Sequence, residues 1–178
     1  MLSIYDDWLP QDQWDQVKSY FTGKKILWKY NDTVAGAHLP LDGSMNPLDD
    51  WQMIHTFYTF KNPYKALESI QPMNFIYGKL NAYVMYRLKA NLRPRTSVQS
   101  ASGWHTDVDD CLNATTGILY INTCNGYTEF KDTDQKVYSK ENRFVTFPSK
   151  WEHRATSCTD SKCRMVLNLN YTPQPVEK

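Results

Sequence analysis

The triplet His105-Thr106-Asp107 and the more distant His153 are residue types that can bind a metal ion together. Side chains two positions apart on a strand point the same way, so His105 and Asp107 can contact one ion from the end of a strand. His153 comes just after a predicted strand, Arg143 to Phe147. Two histidines and one carboxylate on a β scaffold form a facial triad. This set leaves metal positions open for small ligands and suits non-haem Fe(II).

Arg164 opens the final predicted strand, Arg164 to Tyr171, shortly after His153. Its planar guanidinium can bind a carboxylate through two parallel hydrogen bonds. The alternative is a surface ion pair, the usual place of an arginine, but the start of an apolar strand favours a buried position. The four residues together therefore predict a metal site with an anion clamp opposite it.

In this order and context, these residues resemble the 2-oxoglutarate and Fe(II)-dependent dioxygenases, whose core is a double-stranded β-helix, or jelly roll. Within that superfamily the chain is most similar to the prolyl-4-hydroxylase-like branch. The resemblance covers residues 84 to 171. It rests on five segments: Gly103 to Asp107, Tyr120 to Asn122, Gly126 to Phe130, Phe147-Pro148, and Arg164 to Asn168.

The resemblance implies a role for each of these positions and no catalytic residue beyond the metal ligands. His105, Asp107 and His153 would bind Fe(II). Arg164 would pair with the distal carboxylate of the co-substrate 2-oxoglutarate, and the hydroxyl of Tyr120 would bind the same carboxylate. Dioxygen would be the other co-substrate. A plain core tyrosine is the alternative for Tyr120.

Three further residues are candidates for lining the site. Asn168 is a candidate for cofactor binding, because strand alternation places it on the same face as Arg164, where a buried amide would need a polar partner. Trp104 and Trp151 are close in sequence to the predicted metal ligands and are candidates for the substrate cleft. Two core tryptophans are the alternative.

The function implied is hydroxylation of an unactivated C–H bond, in a prolyl or other amino-acid side chain of a peptide or in a free amino acid. One alternative is an AlkB-type nucleic-acid demethylase, because Asp107-Val108-Asp109 matches part of an HxDxD pattern. The R-x-N-x-x-x-R pattern of that group's last strand is absent after Arg164. A non-catalytic, cupin-like metal or sugar binder is a second alternative, and a zinc hydrolase with the same ligands is a third.

A basic stripe alternates along the strand from Val84 to Leu92 and just beyond it, at Arg87, Lys89, Arg93 and Arg95. We expect the opposite, apolar face of this strand to line the interior of the barrel, so that the basic stripe lies on a solvated surface. Together with Asp109-Asp110 beside the metal site, this placement argues against a phosphate backbone as partner.

The elements that position the site are predicted from periodicity. Helical spacing of Trp14, Val17 and Phe21 indicates a helix from about residue 10 to Gly23. Residues 30 to 50 read as a long surface loop. A second helix is predicted after Asn62-Pro63, ending at Pro72.

Strands are predicted for the rest of the chain. Besides the strands already named, Ile118 to Asn122 reads as one, and Asn125-Gly126 signals a hairpin to the strand Tyr127 to Phe130. The predicted fold is mostly β with supporting helices, on a jelly-roll core. We expect one domain over 1–178, with helical and loop support in 1–80 and the catalytic core in 81–175.

Composition sets the remaining expectations. The chain of 178 residues carries 20 Lys and Arg against 19 Asp and Glu, a net charge of +1, which gives no general attraction to nucleic acid or anionic membranes. No apolar run is long enough to span a bilayer, and the first residues lack a signal-peptide pattern, so a cytoplasmic protein is expected. The expected partner is a peptide or small-molecule substrate, with no membrane or nucleic acid. The oligomeric state stays open.

The four cysteines, Cys111, Cys124, Cys158 and Cys163, form no CxxC motif. They are expected to be free thiols, some of them buried. A disulfide between Cys158 and Cys163, or a zinc site there, is the alternative.

Overall fold

The computed structural model describes residues 1–34, 43–62, 70–107 and 114–175. Its two α-helices are α1 (Gln11–Thr22) and α2 (Gln71–Leu80). Its strands are β1 (Ser3–Tyr5), β2 (Lys29–Asn31), β3 (Gln52–Thr59), β4 (Ala82–Pro94), β5 (Thr115–Tyr120), β6 (Tyr127–Phe130), β7 (Lys136–Tyr138), β8 (Arg143–Pro148), β9 (His153–Ala155) and β10 (Cys163–Pro173).

The strands form two antiparallel sheets. The larger sheet has the strand order β1-β8-β5-β10-β4-β3-β2, and the smaller has the order β7-β6-β9. The long strands β10 and β4 pair along their whole length at the centre of the larger sheet, from Cys163 opposite Pro94 to Pro173 opposite Ala82. The expected fold class, mostly β with supporting helices, is confirmed.

Two hydrophobic clusters lie on opposite faces of the larger sheet. On one face, side chains of both helices, such as Phe21 and Ile76, pack on Leu88 of β4 and Leu167 of β10. On the other face, side chains of the larger sheet meet those of the smaller sheet, Phe130 and Val137 among them. The larger sheet is therefore the middle layer, with helices on one side and the small sheet on the other.

Helix α1 agrees with its prediction. Trp14, Val17 and Phe21 are its buried residues, and Gly23 follows its last residue. Helix α2 was missed, because Pro72 was read as the end of an earlier helix. Pro72 instead lies in the first turn of α2, where its missing N–H costs no hydrogen bond. The helix predicted after Asn62 falls mostly on residues 63–69, outside the described residues.

Two strand predictions were wrong. Strand β3, paired with β4 over most of its length, lies in the segment expected to provide only helices and loops. The first 80 residues also supply β1 and β2 to the larger sheet. Asn125-Gly126 does not close a hairpin, because β5 pairs with β8 and β10 whereas β6 pairs with β7 and β9. The turn carries the chain from the larger sheet to the smaller one.

Within the described ranges, neither helix is long and apolar enough to cross a lipid bilayer.

Gly117 on β5 is a position where the packing between helices and sheet can be tested. A Cβ atom there would lie 2.7 Å from the Phe144 ring. That ring is buried and stacks on Trp8 at a centroid distance of 4.2 Å, so it cannot move aside easily. We expect Gly117→Ala to lower the free energy of unfolding by about 1–3 kcal/mol, measured by urea denaturation.

Gly78→Ala is the matched control. Gly78 is exposed on α2, and a Cβ atom there meets nothing within 4 Å. Alanine is the better helix former by about 1 kcal/mol, so this variant should be at least as stable as the wild type. Equal stability of Gly117→Ala and the wild type would contradict the packing described.

Candidate metal centre

His105 and His153 are brought together by the backbone. The N–H of each residue donates to the carbonyl of the other, at 3.1 and 3.0 Å, which forms an isolated antiparallel bridge. The two ring centroids lie 4.6 Å apart. One ligand atom each from His105, Asp107 and His153 lies within 4.8 Å of the others, so the predicted triad is assembled.

The hydrogen bonds of both imidazoles suit metal binding. Nδ1 of His105 lies 3.1 Å from the carbonyl of Gly103, and Nδ1 of His153 lies 3.0 Å from that of Trp151. A carbonyl only accepts, so each Nδ1 carries a proton, and a ring in its neutral form has its Nε2 lone pair available for a metal ion. Burial, with the neighbouring His153, lowers the pKa of His105, which favours the neutral ring that a metal requires.

Asp107 is held by three side chains. Arg87 donates to its Oδ1 at 2.7 Å, and Thr116 and Asn170 donate to its Oδ2 at 2.9 and 3.3 Å. Burial alone would raise the pKa of Asp107, but the neighbouring His153 and Arg87 hold it well below its ordinary value. The carboxylate is therefore ionised and fixed in orientation, as a metal ligand must be.

These three partners of Asp107 were missed as site residues. Arg87 lies on β4, Thr116 on β5 and Asn170 on β10, in register at one level of the larger sheet. Strand alternation puts Asn170 on the same face as Arg164 and Asn168, and this signal could have identified it. Arg87 was noticed only as part of the basic stripe.

The triad opens into a cavity of about 400 Å³ between the two sheets. The cavity extends along the larger sheet, from the metal ligands to Arg164 at the far end. Its walls also include Asn168 of β10, as expected, and Thr128 of β6.

Arg164 is a buried cation, with 4% of its surface exposed. Its Nε donates to Ser139 Oγ at 2.8 Å, and its Nη2 donates to Thr128 Oγ1 at 3.0 Å. Among the described residues, no carboxylate forms an ion pair with it. A buried guanidinium with hydroxyl partners only is a strong anion-binding group.

Tyr120 lies beside this arginine, its ring 5.4 Å from the guanidinium carbon. It is fully buried between the sheets, and its hydroxyl donates to Thr128 Oγ1 at 2.9 Å. Tyr120 is not part of the cavity wall as described, so its direct contact with a carboxylate stays a prediction.

The two tryptophans lie next to the metal ligands without lining this cavity. The Trp104 ring stacks on the guanidinium of Arg154 at 4.3 Å. Trp151 packs edge-on against Phe130, at a centroid distance of 6.1 Å. Their expected role in lining the substrate cleft finds no support in this geometry.

The orientation predicted for β4 was wrong. The apolar residues Leu88 and Ala90 face the helices, whereas Arg87, Lys89 and Arg93 face the cavity. The helices α1 and α2 cover the apolar face, so the polar face is left for the interior between the sheets. The basic stripe therefore no longer argues against a nucleic-acid partner, because it does not lie on the outer surface. The second part of that argument, Asp109-Asp110 beside the metal site, lies outside the described residues.

Cys124, Cys158 and Cys163 are free thiols, and Cys111 lies outside the described residues. Burial raises the pKa of Cys158 to about 11, which makes it a poor nucleophile. Ligand atoms of Cys124, Cys158 and the exposed Asp160 lie within 4.8 Å of one another. Asp160 already accepts two hydrogen bonds from the backbone N–H of Asn125.

Comparison with known proteins finds similarity in structure alone. No protein-family model matches the chain, and no curated protein matches its sequence. A prolyl hydroxylase from Trichoplax adhaerens, solved with a peptide of the hypoxia-inducible factor, is 11% identical with a TM-score of 0.65; the match covers 96% of this chain and 83% of that one. A viral collagen prolyl hydroxylase from Paramecium Bursaria Chlorella virus-1, solved with 2-oxoglutarate, is 12% identical with a TM-score of 0.57, covering 96% of both chains.

The α-ketoglutarate-dependent non-haem epimerase SnoN of nogalamycin biosynthesis is also similar, with 9% identity and a TM-score of 0.62 over 97% of this chain and 77% of that one. Hydroxylases and an epimerase thus share the architecture found here. The chain has the jelly-roll fold of the 2-oxoglutarate and Fe(II)-dependent oxygenases, as its sequence predicted.

Proposed function

We propose that the chain is an Fe(II)- and 2-oxoglutarate-dependent oxygenase that hydroxylates an unactivated C–H bond, in an amino-acid side chain of a peptide or in a small molecule of similar size. The proposal goes beyond the fold, because the same fold serves different reactions. It depends on the side chains of the cavity.

The observation that carries the proposal is Arg164. A buried cation without a carboxylate partner is costly, unless a ligand supplies the negative charge. Arg164 lines the same cavity as the His105, Asp107 and His153 triad, at its opposite end. A dicarboxylate bound between the metal and Arg164 would satisfy both ends of the cavity, and 2-oxoglutarate is a dicarboxylate.

The ligand set fits Fe(II). The two imidazoles and the carboxylate of the triad would hold the metal ion and leave coordination positions for the co-substrate and dioxygen. When bound, Fe(II) and 2-oxoglutarate supply the oxidising chemistry with dioxygen. The zinc hydrolase and the cupin-like binder are weaker candidates, because neither needs a buried cation at the far end of the cavity.

The residues of the chain would bind and orient the metal ion and the co-substrate. Arg87, Thr116 and Asn170 fix the carboxylate of Asp107, and backbone carbonyls fix both imidazole rings. Arg164 and Thr128 would orient the co-substrate by its distal carboxylate. Between the two ends, Ile118 and Val166 are the apolar members of a wall that also contains Lys89, Asn91 and Asn168.

The first prediction concerns the metal. Asp107 supplies the only anionic ligand of the triad, so Asp107→Ala should abolish measurable Fe(II) binding and 2-oxoglutarate turnover while the circular dichroism spectrum stays native. Fe(II) affinity is measured by anaerobic titration.

Asp6→Ala is the matched control, because Asp6 is an exposed carboxylate that pairs with Arg143 and does not line the cavity. This variant should bind Fe(II) like the wild type. Normal turnover by Asp107→Ala would rule out the triad.

The second prediction concerns the clamp. Arg164→Ala leaves the distal carboxylate of 2-oxoglutarate buried without a partner, which costs on the order of 2–5 kcal/mol, or roughly 30- to several-thousand-fold in affinity. The affinity is measured by calorimetry on the Mn(II)-loaded protein. Metal affinity without 2-oxoglutarate should change little.

The control is Arg143→Ala, which removes an arginine that binds Asp6 and the Tyr138 carbonyl instead of lining the cavity. It should leave 2-oxoglutarate affinity unchanged. An unaltered affinity in Arg164→Ala would place the clamp elsewhere and remove the main support for the proposal.

The third prediction concerns the substrate. Amino-acid substrates, as proline-containing peptides or free amino acids, should stimulate succinate formation above the rate without substrate, and the product should gain the mass of one oxygen atom. Methylated oligonucleotides are assayed alongside and should be inert, in keeping with the net charge of +1. Demethylation of an oligonucleotide, with peptides and amino acids inert, would favour the nucleic-acid demethylase over the amino-acid hydroxylase.

A further inference from the structure

More cationic side chains line the cavity than the metal site and the co-substrate require. Four cationic side chains line it: Arg87, Lys89, Arg93 and Arg164. Arg87 is neutralised by Asp107, and Arg164 is the proposed partner of 2-oxoglutarate. Lys89 and Arg93, both on β4, remain to be explained.

Arg93 is largely committed to the fold. Its Nη1 donates to the Ala155 carbonyl at 2.9 Å, and its Nη2 contacts Ser100 Oγ at 3.3 Å. Its buried Nε has no hydrogen-bond partner in the described chain. Arg93 therefore adds positive potential to the cavity, with two of its five N–H donors used within the fold.

Lys89 is different, because it is half-buried and forms no ion pair or hydrogen bond with any described residue. Burial, with the like charge of Arg87 nearby, lowers its pKa to about 8. An ammonium in this position gains free energy from any anion that reaches it.

Unsatisfied amides flank this lysine. Asn168 on β10 is the register partner of Lys89, and Asn91 lies two positions further along β4. The Oδ1 atoms of both are buried without a hydrogen-bond partner among the described residues. An amide Oδ1 only accepts, so these two atoms need an N–H or O–H of a ligand, whereas the Nδ2 groups of the same amides, also without a partner among the described residues, can donate to an anion.

We propose that Lys89, with the amides of Asn91 and Asn168, forms a subsite for a carboxylate or phosphate group of the primary substrate. The inference rests on the proposed function and narrows its substrate class to molecules that carry a negative charge. In a proline-containing peptide the charge would have to come from a neighbouring acidic side chain or the C-terminus, and in a free amino acid from its own carboxylate.

The register of the sheet also restricts where the substrate reacts. Lys89 lies two residues from Arg87, the partner of Asp107, and two residues of a strand span about 7 Å. An anionic group at Lys89 therefore places the oxidised carbon within a few bonds of that group. By register Lys89, Asn91 and Asn168 lie between the level of the metal ligands and that of Arg164, so the subsite borders the space of 2-oxoglutarate. A cavity of about 400 Å³ that holds both molecules leaves room only for a compact substrate fragment.

The test is calorimetric binding to protein saturated with Mn(II) and 2-oxoglutarate, so that Arg164 is already occupied. The probes are N-acetyl-aspartate N-methylamide and N-acetyl-phosphoserine N-methylamide, each compared with its neutral asparagine or serine analogue. The first pair tests a carboxylate source and the second a phosphate source. We expect at least one anionic probe to bind clearly more tightly than its analogue.

Lys89→Met should weaken that binding by about 10- to 100-fold, since it removes a charged hydrogen-bond donor. The variant should change 2-oxoglutarate affinity far less. Lys25→Met is the matched control, because Lys25 is exposed and lies outside the cavity wall; it should bind the probe like the wild type.

Several results would overturn the subsite: no anionic probe binds, the neutral analogues bind equally well, or Lys89→Met leaves binding unchanged. An equal loss of 2-oxoglutarate affinity in Lys89→Met would assign the lysine to the co-substrate instead. Each of these leaves the proposed function standing. If wild-type protein fails to bind 2-oxoglutarate at all, the proposed function itself is wrong.

Discussion

The ionised carboxylate of Asp107, buried between two sheets, is the constraint on which the rest of the site depends. An isolated buried carboxylate would be costly. Arg87, Thr116 and Asn170 satisfy it, and each comes from a different strand of the larger sheet. Three adjacent strands must therefore keep their register for this carboxylate to be stable, and the same register positions the rest of the cavity wall.

The larger sheet separates two kinds of environment. Its apolar face is covered by the two helices and contains the larger hydrophobic cluster, which includes Leu88 and Leu167. Part of its other face packs on the small sheet through apolar side chains, and the part formed by β4 and β10 presents polar side chains to the cavity. The helix-covered face holds the larger hydrophobic cluster, and the opposite face carries buried or half-buried charges such as Arg164 and Lys89.

Much of the site was predictable because its signals are local. His105 and Asp107 were recognised by their spacing of two, although the structure forms only an isolated bridge at His105 instead of a strand. The start of β10 was marked by Arg164 in front of an apolar strand. Helix α1 was equally clear from its three buried residues. Helix α2 and strand β3 were missed, since Pro72 was read as a helix end and β3 lacks a clean alternation of polar and apolar residues.

The sequence by itself determined the ligand types and their order, because residue chemistry and strand alternation need no knowledge of neighbours. Only the tertiary structure decided which face of β4 looks into the cavity. Alternation shows that Leu88 and Lys89 point to opposite sides, but the side that becomes interior depends on where the helices pack. Once α1 and α2 cover the apolar face, the cationic face must line the cavity, and the charge of that cavity follows.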